Sequence, residues 1–305
     1  MNKTITGQQL RRVAIAIALS IGMVSALTVQ AAGSDSQIPA AKPNAQIRAM
    51  LPENIRASGV LKLATDAHYP PCESFADDNK TLVGWEPDFW NAIGQVLGVK
   101  VEAESINFSS LIPGVASKRY DLAMECLTDT KEREKQVTFV DVMHARTAAY
   151  TMDQNRKITN DPLSLCGQKV GTQQATTFSA SVDKVVNPYC TGNGRSPVEN
   201  AVFPAADDTL LALYSGRVDF VLNTAMAVGE LKKKAPKPIR VVDIPGMPTN
   251  FIGIIVPKEN TQLADALLAA TKALHEQGIY DQIVRKWSLE QLKLDDPGIN
   301  LAPGQ

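Results

Sequence analysis

What most constrains this chain is an alternation that runs through its length. Short apolar stretches end in polar turns, and the turns open amphipathic segments. Residues 61–65 alternate as a first strand and run into a turn-rich loop holding Asp66, His68, Tyr69, Pro70 and Pro71. Pro87 then suits a first helical position, with Phe89, Ile93, Val96 and Leu97 on one face and Gly98 as the stop. Residues 99–103 alternate as a second strand, and residues 108–118 form a helix with Leu111, Ile112 and Val115 inward. Leu122, Ala123 and Met124 read as a third, buried strand, and residues 137–140 lead out. After about Arg146 the pattern restarts. Strands are expected at 168–171, 201–203 and 218–222, with helices at 208–214 (capped by Asp207) and 225–234. A returning strand at 251–256 precedes a helix at 262–275 capped by Thr261, a short helix at 279–287 and a tail. Such β-α-β units demand a parallel-rich sheet with helices on both faces, built here twice.

The stretch from Asp121 to Arg133 concentrates the chemistry. Its strand ends at Thr128, Asp129 and Thr130, which are helix-capping residue types, and Lys131 to Glu134 favours a helix. That geometry would aim free backbone N–H groups and a positive helix end at one spot, which attracts anions. Arg133 sits where its planar fork can take a carboxylate bidentately, and the Thr128 hydroxyl can add a donor.

The N-terminus carries Lys3, Arg11 and Arg12 before an apolar run from Val13 to Val29, and Val29-Gln-Ala31 offers small residues at a cleavage position. This reads as a secretory signal peptide over residues 1–31, so the mature protein is expected in the periplasm. Residues 32–53 read as a partly disordered leader. Net charge is −1 over 305 residues, which argues against a nucleic-acid partner. Lys232, Lys233 and Lys234 make the one basic triplet, assigned to the last turn of a helix. Four cysteines in an exported chain suggest disulfides. Cys166 and Cys190 are the local pair, closing a loop of roughly 25 residues worth on the order of 3 kcal/mol. Cys72 and Cys126 are either a second pair or buried thiols. A metal held by Cys72, Cys126 and His68 would have no regular ligand spacing.

Ten stretches carry a resemblance. They are Gly59-Val-Leu-Lys-Leu-Ala-Thr-Asp66, Tyr69-Pro-Pro71, Gly84-Trp-Glu-Pro-Asp88, Phe108-Ser-Ser-Leu-Ile-Pro-Gly114, Arg119-Tyr-Asp121, Thr128-Asp-Thr-Lys-Glu-Arg133, Phe139-Val-Asp141, Ser215-Gly-Arg-Val-Asp219, Gly278-Ile-Tyr280 and Lys286-Trp287. In this order the chain resembles the type II periplasmic solute-binding proteins of the polar amino-acid family (family 3), receptors of ABC importers. The resemblance implies two α/β lobes with a ligand cleft between them. Lobe 1 would comprise residues 54–145 plus 250–290, lobe 2 residues 146–249, and a C-terminal tail residues 291–305. The crossings would lie near residues 145–146 and 249–251.

The resemblance also implies ligand residues. Arg133 would pair with a ligand carboxylate beside Thr128, while Cys126 stands where the family usually has Gly or Ser. Asp66 and Tyr69 match the polar and aromatic residues of the first loop, Phe108 a packing wall, and Thr176 and Thr177 carboxylate-side donors. Trp85 is either a second wall or part of the lobe 1 core. Thr224 falls where the family normally places an aspartate for the ligand ammonium. A hydroxyl supplies no charge there, so either Asp66 or Glu125 substitutes, or the ligand lacks an ammonium. Glu125, in place of a small residue, either faces the site or a polar network.

The function implied is a non-enzymatic, monomeric receptor that delivers a small carboxylate-bearing solute to an inner-membrane ABC permease, with no cofactor and no metal. Two alternatives remain at this level. One is a periplasmic dehydratase of prephenate- or arogenate-like substrates, for which Glu125 is the suitably placed acid. The other is a sensory or partner-binding module.

Overall fold

The computed structural model describes residues 38–227, 235–247 and 249–303. The expected signal peptide, the Lys232 to Lys234 triplet and most of the expected helix 225–234 lie outside the described residues.

The first half of the chain builds one sheet. Helices α1 (Ala45–Ala49) and α2 (Glu53–Ser58) lead into β1 (Val60–Thr65). A small antiparallel sheet follows, made of β2 (His68–Tyr69), β3 (Glu73–Phe75) and β4 (Leu82–Val83). Helix α3 (Trp85–Leu97), strand β5 (Lys100–Ser105), helix α4 (Leu111–Ala116) and strand β6 (Leu122–Ala123) complete the βαβαβ unit. Strand β1 lies between β5 and β6, parallel to both. Its side chains divide by the period of two: Leu61 and Leu63 enter the core under α3, and Ala64 enters the one under α4. Phe89, Ile93, Val96 and Leu97 of α3 are fully buried, each worth roughly 1.5–3 kcal/mol of apolar transfer. Gly98, in a left-handed conformation at φ 63°, ends α3.

The second half repeats the plan. Strands β8 (Lys169–Gln173), β9 (Glu199–Phe203) and β10 (Phe220–Thr224) pair in parallel around a central β8. Helices α5 (Thr177–Ser181), α6 (Asn187–Gly192) and α7 (Ala206–Tyr214) connect them. Phe220 and Leu222 face one core, and Val221 faces the other. Asp207 lies inside the first turn of α7 rather than at its cap, which is Ala205.

One strand belongs to both halves. Strand β7 (Val137–Met152) is 16 residues long. Its first part pairs antiparallel with β12 (Thr249–Pro257), and from Thr147 onward it pairs with β10 and with β11 (Ile239–Asp243). The strand order is therefore β5-β1-β6-β12-β7-β10-β8-β9. Where β12 shifts register against β7, Gly253 is required: a Cβ there would meet the Val140 carbonyl oxygen at 2.2 Å. Helices α8 (Thr261–Glu276) and α9 (Ile279–Lys286) return to the first lobe; Asn260, not Thr261, caps α8, accepting from Leu263 N–H at 3.2 Å. No described helix is long and apolar enough to cross a membrane.

Both chain ends depart from expectation. The leader is packed from Ile38 onward. Ala41 N–H donates to Gln95 Oε1 at 2.6 Å, Lys42 N–H to Gln277 Oε1 at 2.7 Å, and Asn44 caps α1. Its polar composition concealed backbone groups that α3 and the end of α8 satisfy. The tail is likewise part of the sheet, because β13 (Lys293–Ile299) pairs with β7. Pro297 and Gly298 mask this in the sequence, and such residues are tolerated at an irregular edge.

The disulfides close both open questions about cysteine. Cys166 is bonded to Cys190, fastening α6 beneath β8, and Cys72 is bonded to Cys126. The alternative of a metal on Cys72, Cys126 and His68 thereby loses both thiolates.

A closed cleft at the carboxyl ends of both sheets

The carboxyl ends of β1, β6, β8 and β10 face one another across the two halves. In open α/β sheets this is where small molecules bind, because the loops there are free of the sheet's own hydrogen bonds. Each strand delivers one group of side chains: Asp66 after β1, the segment 124–133 after β6, residues 173–177 at the end of β8, and Asn223 with Thr224 closing β10.

The segment after β6 is not the strand-turn-helix that its residues suggest. Asp129 N–H donates to the Phe251 carbonyl at 2.8 Å, and Thr128 bridges Ile252, so the chain continues to follow β12. Strand β7 begins at Val137, leaving room for only one short turn of 3-10 helix at Arg133–Lys135. No helix dipole of consequence is therefore available, and the positive charge at this point is Arg133 itself.

Arg133 is 8% exposed. Its Nη1 donates to the Thr128 carbonyl at 2.7 Å and its Nη2 to the Ala175 carbonyl at 2.9 Å, reaching from one half to the other. Ala175 presents that carbonyl from a left-handed turn at φ 61°. The guanidinium carbon lies 5.6 Å from the centre of the Phe108 ring, a cation–π arrangement. Burial lowers the guanidinium's pKa to about 10, opposed by the charges of Glu125 and Asp129. It stays charged at neutral pH. Of its five N–H donors, two are used in these bonds.

Four further contacts draw the halves together. The Tyr69 hydroxyl donates to Asn223 Oδ1 and accepts from Thr224 N–H at 3.3 Å. Gln173 Nε2 donates to Asp66 Oδ2 at 3.4 Å, and the hydroxyls of Thr177 and Thr128 lie 3.3 Å apart. The space left is a cavity of about 10 Å³, the room of a single water, lined by Tyr69, Phe108, Glu125, Cys126, Thr128, Arg133 and residues 173 and 176–178. An amino-acid-sized molecule enters only if the halves part.

The structure brings together Tyr69, Phe108, Glu125, Cys126, Thr128, Arg133, Thr176 and Thr177 on this lining. Asp66 lies just behind it. Its carboxylate is occupied, with Oδ1 on His68 Nδ1 at 2.7 Å and Oδ2 accepting from Phe108 N–H at 3.1 Å and from Gln173. Thr224 sits beside Tyr69, and its hydroxyl oxygen accepts from Met226 N–H at 3.3 Å. Of the two readings left open for Trp85, the structure shows the core one. Trp85 is fully buried in the first core, tilted against Phe89 with ring centres 6.0 Å apart, because α3 begins at Trp85 and turns that side chain inward.

Cys126 has φ 42°, a left-handed conformation that favours glycine and that a β-carbon makes costly by about 1 kcal/mol. This explains why a small residue suits the position. Its N–H donates to Glu86 Oε1 at 2.6 Å, and a Glu86 oxygen lies within 4.8 Å of both disulfide sulfurs. Glu73 stands beside Glu86, and both are buried. Burial, reinforced by Glu86 and Glu125, pushes Glu73 well above the usual carboxylate range. Burial lifts Glu86 to about 7, against the hydrogen bond it accepts from Cys126 N–H. Glu125 is raised well above that range by burial, then by Asp66 and Glu86, with Arg133 pulling the other way. Sequence reasoning missed Gln173, Asn223, Glu73 and Glu86. The two glutamates look like ordinary surface acids in a turn and a first helical turn, yet the fold buries both.

The family model for bacterial extracellular solute-binding proteins, family 3, matches residues 61–290. The arginine-binding protein ArgT of Corynebacterium glutamicum is 28% identical over 261 residues, covering 86% of this chain and 84% of its own length. A putative ABC transporter arginine-binding protein 2 of Escherichia coli is 32% identical over 76% of this chain and 91% of its own. Among solved structures, an ancestral arginine-binding protein bound to glutamine superposes with a TM-score of 0.68 at 32% identity, covering 76% of this chain and 99% of that one.

Proposed function

Because the chain belongs to the bacterial extracellular solute-binding proteins of family 3, we propose that it is the periplasmic receptor of an ABC importer for an amino acid or amino-acid-like carboxylate. The observation that carries this reading is Arg133: a buried, charged fork on the cavity lining, anchored to both halves by two of its five donors. The ligand carboxylate pairs with that guanidinium and the hydroxyls of Thr128 and Thr177, and its body packs on Phe108 and Tyr69. A ligand that contacts both halves favours the closed form, and closure is what a permease would read. The relatives named as arginine-binding support an amino acid as the solute and binding without turnover as the activity. We assign residues 1–31 to a cleaved signal peptide and the lobes to residues 54–145 plus 250–290 and 146–249. The change of partners along β7 at Arg146 and Thr147 supports that division.

The test is a thermal-shift measurement on the mature protein with L-arginine and L-glutamine, since a ligand of the native state raises the midpoint by mass action. Arg133→Ala should abolish the shift, a loss of roughly 2–5 kcal/mol in binding, while the ligand-free protein still melts cooperatively. A shift that survives the substitution would move the carboxylate seat elsewhere.

A further inference from the structure

We infer that Glu125 and Arg133 form a paired seat for a zwitterion, in which Glu125 gives up a proton to receive the ligand's ammonium. This rests on the receptor reading above and specifies its ligand class and the pH dependence of binding.

The position that the family pattern assigns to the ammonium's counter-charge holds the neutral Thr224, whose hydroxyl oxygen already accepts from Met226 N–H. Asp66 behind the cavity lining and Glu125 on it are the candidates to replace it. Asp66 is spoken for: His68, Phe108 N–H and Gln173 use both of its oxygens. Glu125 is not. It is 2% exposed, lines the cavity, and makes no side-chain hydrogen bond or ion pair among the described residues. A buried polar group without a partner costs free energy that a ligand donor would recover. Arg133 lines the same cavity of about 10 Å³, so a cation on Glu125 and an anion on Arg133 must be neighbours within one molecule. Adjacent opposite charges are the signature of an α-amino acid.

The surroundings decide the protonation. Glu125 is faced by Asp66 from the loop after β1, Tyr69 of β2, Glu73 of β3, Glu86 of α3 and Arg133 on its own segment. Burial first, and then the charges of Asp66 and Glu86, raise the empty carboxyl well above the usual carboxylate range, with Arg133 pulling the other way. An incoming ammonium reverses the balance. The carboxyl O–H bond breaks, the proton leaves to solvent, and the carboxylate pairs with the ammonium. Binding therefore releases a proton and weakens as the pH falls.

Isothermal titration near pH 7, in two buffers of different ionisation enthalpy, tests this with paired probes: L-arginine against 5-guanidinopentanoate, and L-glutamine against glutaramate, each acid lacking only the α-ammonium. The wild type should release up to one proton per amino acid bound and none with the amine-free acid. Glu125→Gln, a near-isosteric neutral replacement, should weaken amino-acid binding by roughly tenfold or more, abolish the proton release and leave the amine-free acid unaffected. Tight amino-acid binding with an unchanged proton count in Glu125→Gln overturns this inference and leaves the receptor reading standing. Binding of the amine-free acids alone overturns it too, keeping Arg133 as a carboxylate seat. No heat from any probe removes both readings.

Discussion

Tyr69 shows how much one side chain contributes to closure. Its hydroxyl donates to Asn223 and accepts from Thr224 N–H, both on β10, while its ring lines the cavity. Tyr69→Phe keeps the ring and removes both bonds. At roughly 0.5–1.5 kcal/mol for each neutral hydrogen bond, ligand affinity should fall about tenfold, read by titration, with little change in the ligand-free midpoint. A substitution without effect on affinity would mean that the latch forms only in the empty protein. Arg133, Thr128, Phe108 and Tyr69 were legible in the sequence because their stretches are specific in type and spacing. Glu125 was legible as an oddity only. Its role depends on the hydrogen bonds that occupy Asp66, and these come from residues 2, 42 and 107 positions away.

Among the elements, regular helices and buried strands were well anticipated and irregular ones were not. The helical periodicity of α3 and α8 is long enough to identify unaided. The segment 131–135 favours a helix locally, yet β12 claims its approach and β7 its exit, so tertiary pairing overrides propensity. The Cys166–Cys190 bond ties α6 to the turn before β8 across 24 residues. Replacing both cysteines with serine should lower stability by about 3 kcal/mol in chemical denaturation, with ligand affinity retained, because neither residue approaches the cleft. A larger loss of affinity than of stability would place α6 in the closing motion.

At the scale of the whole molecule, the unexpected feature is a second set of buried acids that holds the segment at Leu301 and Ala302. Asp141 Oδ2 accepts from Leu301 N–H and Asp129 Oδ2 from Ala302 N–H, each at 2.9 Å. Burial raises Asp129 to about 6 and, with the charge of Asp129 added, Asp141 to about 8. An acid whose folded pKa exceeds its unfolded value binds more protons when folded. The stability it contributes is full below about pH 4 and is lost as the pH rises through about 8. Asp141→Asn retains an acceptor for Leu301 and cannot ionise. Its melting temperature should vary less than the wild type's between about pH 5 and 8 and exceed it at the upper end. Parallel curves for the two proteins would show that the pair does not control this window.

The sequence by itself determined the two βαβ halves, the local disulfide and the arginine on the cleft lining. These depend on periodicity, on residue type and on neighbours close along the chain. Only the tertiary structure decided that β7 runs unbroken through both halves and that the leader and tail are packed. It likewise decided that Cys72 meets Cys126 and that Glu125 is an uncommitted acid on the cavity lining. Each of these depends on which backbone and side-chain groups, far apart in sequence, are left to satisfy one another once water has been excluded.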